Sequence, residues 1–114
     1  MAHIQQIKQS LGISGVHCNY AAWRSKESIN GAQVDLLIDR NDSVINLCEI
    51  KYSIHPFTID KKYAENLRNK IGTFKEESKT QKSVFLTLVT TFGLKQNEYS
   101  GMVQSEVRMK DLFL

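Results

Sequence analysis

The order of patterned segments, α-β-β-β-α-β-β, predicts an α/β domain built on a mixed central sheet flanked by helices. Three observations carry this reading. Three strand-like segments follow one another in the first half of the chain, as in an antiparallel meander. A long amphipathic helix comes next, and a β-branched apolar run follows it, as in a crossover connection back onto the same sheet. The central strands are apolar on both sides, which suits a sheet covered on both faces.

The elements are justified in chain order. Ile4, Ile7 and Leu11 recur at helical spacing, so residues 3–11 read as a short helix, with Gly12 and Gly15 marking its end. Residues 16–24 (VHCNYAAWR) read as a strand, and residues 25–31 (SKESING), polar and ending in Asn-Gly, as a loop or turn. Residues 33–39 (QVDLLID) and 44–51 (VINLCEIK) are strands around the turn at 40–43 (RNDS). Ile59, Tyr63, Leu67, Ile71 and Phe74 form one apolar stripe, so residues 58–77 read as a helix. Residues 83–91 (SVFLTLVTT) are a buried strand, residues 92–101 irregular, and residues 103–109 a weaker last strand. The tail at 111–114 docks by its apolar residues.

The 114 residues form a single domain, 1–114, long enough to bury a core without staples. Hydrophobic residues at 41% and charged residues at 24% argue against disorder. Fifteen Lys and Arg against twelve Asp and Glu give a net charge of +3, which permits a polyanionic partner without demanding one. No apolar run is long enough to span a membrane, and the start lacks the features of a signal peptide. Cys18 and Cys48 are too few for a disulfide framework. They lie on non-adjacent strands, and with His3, His17 and His55 they show no zinc spacing, so they read as buried thiols in a cytoplasmic protein. Secreted, membrane, collagen-like and coiled-coil classes are set aside.

Three polar residues stand out in the central strands: Asp35, Glu49 and Lys51. Charged side chains are seldom buried unless paired. Glu49 and Lys51, two apart on one strand, point to the same face. Whether Asp35 shares that face depends on the hairpin register. A two-residue loop at Asn41-Asp42 sets Asp35 opposite Cys48, on the wrong face. A three-residue loop at Asn41-Asp42-Ser43 sets it opposite Glu49, and a bulge would serve equally. If the carboxylates converge, their repulsion is relieved by a hard divalent cation, which takes one or two carboxylates and keeps several waters. Such a site can activate water and polarise a phosphoryl oxygen, with a lysine alongside to stabilise the developing charge.

Asp35, thirteen residues, then Glu49-Ile50-Lys51, on a hairpin followed by a helix and a strand, resembles the PD-(D/E)XK nuclease superfamily. The wording GAQVDLLIDR and INLCEIKYS, followed by PFTIDKKYAENLRNK, looks like the nuclease-like C-terminal domain of bacterial AAA-type ATPases. The resemblance implies a restriction-endonuclease-like core, α-β-β-β-α-β. It also implies Mg²⁺ or Mn²⁺ held by Asp35, Glu49 and the Ile50 carbonyl, and a catalytic role for Lys51. Many members carry an acidic residue on the first helix; this one offers Gln5, Gln6 and Gln9 instead, and Val34 replaces the usual proline. No GxxxxGK[ST] is present, so an ATPase domain would lie outside this chain, which is expected to be an excised or truncated relative of a longer protein.

The expected substrate is nucleic acid, DNA in the first place. Lys61 and Lys62 at the start of the second helix, with Arg68 beyond them, are candidate phosphate contacts, as are Arg24 and Lys26 beside the 25–31 loop. Lys70 and Lys75 share the helix with Asp60, Glu65, Glu76 and Glu77, which equally describes a solvated helix face. Trp23 and Tyr63 read as packing residues. Two alternatives remain beside the nuclease: a silent DNA-binding or protein-interaction module of the same fold, and a homo-oligomer paired through the last strand or Leu112, Phe113 and Leu114.

Overall fold

The computed structural model describes residues 4–25 and 33–109. Lys26 and the tail residues Leu112, Phe113 and Leu114, singled out above, lie outside the described residues. The elements are α1 (Ile4–Ser10), β1 (Cys18–Arg24), β2 (Gln33–Arg40), β3 (Val44–Lys51), α2 (Lys61–Ser78), β4 (Ser83–Thr90) and β5 (Ser105–Arg108). A single 3₁₀ turn, Ser100–Met102, interrupts the segment before β5. The strands form one sheet in chain order, β1-β2-β3-β4-β5. β1, β2 and β3 are antiparallel neighbours, whereas β3, β4 and β5 run parallel. This is the α/β class with a mixed, helix-flanked sheet.

Two apolar cores explain why the central strands lack a polar face. On one side Leu37, Ile45, Leu47, Leu86 and Leu88 pack against Ala64, Leu67 and Phe74 of α2. On the other, Leu36, Ile38, Cys48, Val89 and Val107 pack with Ile7 of α1 and Ile13 just after it. Leu47, Leu67, Leu86 and Leu88 are fully buried, and each such side chain contributes about 1.5–3 kcal/mol relative to exposure. Trp23 packs edge-on to Phe74, with ring centroids 5.3 Å apart.

α1 ends where Gly12 adopts φ +74, and Lys8, itself buried, donates from Nζ to the Val16 carbonyl at 2.8 Å and ties down the following loop. β1 therefore begins at Cys18, two residues later than expected. α2 begins three residues later than its apolar stripe suggests. Asp60 is extended and accepts the Tyr63 N–H at 2.7 Å, which caps the helix and excludes Thr58 and Ile59. Ile59 is buried all the same, its carbonyl held by Asn97 Nδ2 at 2.8 Å. The last strand is shorter than the expected 103–109, because only Ser105–Arg108 pair with β4.

The hairpin register is the three-residue one. Leu36 pairs with Cys48 and Asp39 with Ile45, so residues 41–43 form the loop. Ser43 closes it at φ +69, the left-handed position of a three-residue hairpin loop. A second irregularity lies between β1 and β2. From Ala21↔Leu37 to Trp23↔Val34, β2 takes three steps where β1 takes two, which places an extra residue of β2 at Asp35–Leu36. The bulge breaks strand alternation, so Val34 and Leu37 enter the same core and Asp35 is left exposed at the strand's end.

Candidate functional site

The β2–β3 ladder stops at Leu36↔Cys48, and side chains take over where the strands part. The Ile50 N–H donates to Asp35 Oδ2 at 2.9 Å, and the Asp35 N–H donates a longer bond, 3.4 Å, to Glu49 Oε2. Two carboxylates thus interlock across the mouth of the hairpin. Glu49 is 1% exposed and Asp35 is exposed, so the pair reaches from the interior to solvent.

Leaving a buried carboxylate unpaired is costly, and Glu49 is paired by a residue of α2. Lys70 Nζ forms an ion pair with Glu49 Oε1. The sequence places Lys51 beside the carboxylates and leaves Lys70 between a backbone contact and a solvated helix face. The structure pairs Lys70 with Glu49, while Lys51 Nζ lies over the ring of Tyr63, 4.8 Å from its centroid, in a cation–π contact. The signal for Lys70 was present. It lies seven residues, two helical turns, after Tyr63, and so falls on the stripe facing the sheet. A cation inside an apolar stripe requires a partner.

Tyr63 also exceeds the packing role expected of it. Its ring packs edge-on to Phe57, centroids 5.4 Å apart, while its hydroxyl is buried without a well-formed hydrogen bond among the described residues. Burial first, and then the charges of Glu49 and Asp35, hold the phenol above its ordinary pKa. It stays a neutral O–H turned toward the Glu49 carboxylate, which acts on it by charge and as a hydrogen-bonding side chain.

Asp35, Glu49, Ile50 and Lys51 are brought together at one end of the sheet. Lys61 and Lys62 are exposed in the first turn of α2, and α2 starts beyond the end of β3 that carries the carboxylates. Arg68 is exposed, and Arg24, on the outer strand β1, donates to Gln33 Oε1 at 3.3 Å. Two strand spacings separate β1, which carries Arg24, from β3, which carries Glu49, about 10 Å.

A further buried polar group went unread in the β3 run. Asn46 is fully buried on the opposite face from Glu49, donates to Thr87 Oγ1 at 2.9 Å and accepts from Arg40 Nη1 at 3.2 Å. It is satisfied structurally and is not part of the site.

The donor set at the sheet end is two carboxylates with a nearby main-chain carbonyl. No group of three His, Cys, Asp or Glu side chains able to hold a metal gathers among the described residues. One exposed carboxylate, Asp35, and one buried carboxylate, Glu49, meet there; a hard divalent cation takes one or two carboxylates and completes its shell with water.

Comparison with known proteins gives fold alone. No protein-family model matches the chain, and no curated protein matches it significantly. The fold is similar to that of a crystal structure of a protein of unknown function, AF1548, with a TM-score of 0.58 over 90% of this chain at 12% identity. This chain spans 54% of that protein's length.

Proposed function

We propose that this chain is a metal-dependent nuclease-type domain that hydrolyses phosphodiester bonds in nucleic acid, DNA in the first place. The observation that supports it is the meeting of Asp35 and Glu49 at the mouth of the β2–β3 hairpin, in the three-residue register that sets them opposite each other. The D…ExK pattern, on which the resemblance to PD-(D/E)XK nucleases rests, lies on β2 and β3.

In this reading Asp35, Glu49 and the Ile50 carbonyl hold Mg²⁺ or Mn²⁺. The bound cation would supply Lewis-acid polarisation of a phosphoryl oxygen and a water of lowered pKa. Lys51, held against the Tyr63 ring, presents a positive charge to the phosphate as negative charge develops. The Tyr63 hydroxyl, buried beside Glu49, would help to hold that carboxylate in place. Lys70 neutralises Glu49 when no cation is there and must yield, at least in part, when one binds. Lys61 and Lys62 position the nucleic-acid backbone.

Calorimetry with Mg²⁺ and Mn²⁺, followed by a cleavage assay, tests this. Glu49→Gln keeps the size of the side chain and is expected to abolish cation binding. It should also lower cleavage by about 10³-fold or more, with an unchanged circular dichroism spectrum. An undiminished rate would end the proposal.

Two observations favour a second reading, a silent nucleic-acid-binding or protein-interaction module attached to an AAA-type ATPase domain. Lys70 already satisfies Glu49, and α1 has no acidic residue in its first turn. That reading expects salt-sensitive nucleic-acid binding, no heat with either cation and no cleavage. No helix among the described residues is long and apolar enough to cross a membrane. Both cysteines are free and buried. On that ground we place the protein in a reducing compartment, the cytoplasm.

A further inference from the structure

Three large apolar side chains among the described residues are exposed: Tyr52 (81%), Ile54 (83%) and Phe92 (40%). They are distant in sequence but belong to one place. The Ser53 N–H donates to Thr91 Oγ1 at 3.2 Å, which sets Tyr52 and Ile54 on either side of a residue bonded to the neighbour of Phe92. The two loops stay joined beyond that point, with Phe57 N–H to the Gly93 carbonyl at 2.9 Å and Lys95 N–H to the Phe57 carbonyl at 2.8 Å. The patch forms the rim of the sheet end that carries Asp35 and Glu49. Tyr52 follows Lys51 directly, and three residues of chain place it within about 11 Å of Glu49.

We infer that this rim is a stacking platform for unpaired bases, and that the substrate or ligand of the site is a single-stranded nucleic acid or an unpaired segment within a duplex. The inference rests on the preceding reading in one respect, that the phosphate of the bound nucleotide lies at the carboxylate end of the sheet. Bases inside a duplex are already stacked and paired, so an exposed Tyr and Phe gain little from them. An unpaired base offers a free π-face. The surroundings complement such a strand: Lys61, Lys62 and Lys95 are exposed on the segments that flank the patch, and the chain carries a net charge of +3. An apolar protein partner would leave those lysines unused.

The test is fluorescence anisotropy on the full chain, with a labelled oligothymidine and with the same strand annealed to oligoadenylate, at two salt concentrations. The variants are Tyr52→Ala, Tyr52→Trp and Glu49→Gln. Wild type is expected to bind the single strand more tightly than the duplex. Tyr52→Ala should weaken single-strand binding about ten-fold or more while leaving duplex binding and the salt dependence in place, and Tyr52→Trp should retain it. Equal losses on both probes, no loss, a preference for duplex, or no binding to either would overturn the inference. The two proposals fail separately. If Tyr52 governs single-strand affinity but neither wild type nor Glu49→Gln cleaves, the platform stands and hydrolysis does not. Cleavage by wild type with Tyr52→Ala binding normally leaves hydrolysis standing without the platform.

Discussion

Glu49 is the residue on which the site turns, because it is almost fully buried and its charge is met from two elements. Removing the partner while keeping the charge is the more damaging change. Lys70→Met is expected to cost about 3–5 kcal/mol in urea unfolding, and the double variant Glu49→Gln with Lys70→Met to recover most of it. If the carboxylates take Mg²⁺, the single variant regains about 2.7 kcal/mol at a cation concentration a hundred times its Kd. Cys48 lies on the opposite face of the same strand. Burial first, and then the charge of Glu49, pushes its thiol up to about 12. It is therefore expected to resist iodoacetamide at pH 8.5 in the folded protein and to react once urea unfolds the chain.

At the scale of elements, much was legible from periodicity, and the departures have local causes. β3 was read to its exact ends, Val44–Lys51, because its apolar run is bounded by a turn and by a charge. The start of α2 was misplaced because Ile59 keeps the helical spacing of the stripe while lying outside the helix. The Asp60 cap decides the boundary, and Asp60→Ala should cost about 1 kcal/mol in thermal unfolding. The hairpin register could not be chosen from the sequence, since no glycine marks the left-handed position and Ser43 occupies it. Ser43→Gly should stabilise by up to about 1 kcal/mol. The bulge at Asp35 left no sequence mark, because it is a mismatch between two strands rather than a property of either. Lys70 was legible as a cation inside the apolar stripe, but naming Glu49 as its partner needed the docking of α2 on the sheet. Gly93 is the opposite case from Ser43: at φ +93 an added Cβ would lie 2.8 Å from Arg108 Nε, so Gly93→Ala should destabilise the loop that carries Phe92.

For the molecule as a whole, the raised pKa of Cys48 and of Tyr63 makes stability fall as the pH rises into the alkaline range. Both groups stay protonated in the folded chain at pH values where the unfolded chain has lost those protons. Above the ordinary thiol range, about pH 8.5–9, the unfolded state binds fewer protons than the folded state, so unfolding becomes easier as pH rises. The urea midpoint is expected to hold steady below about pH 8.5 and to decline from there toward pH 12. The order of the sheet has a consequence for the time course of opening. Strands that are neighbours in the chain are neighbours in the sheet, so the domain can fray from β1 or from β5 while its middle stays intact. Amide hydrogen exchange should be slowest in β3, held on both edges, and faster in β1 and the four-residue β5. The strand that carries Glu49 is then the last part of the protein to open, and its carboxylate stays in place through the fluctuations that loosen both borders.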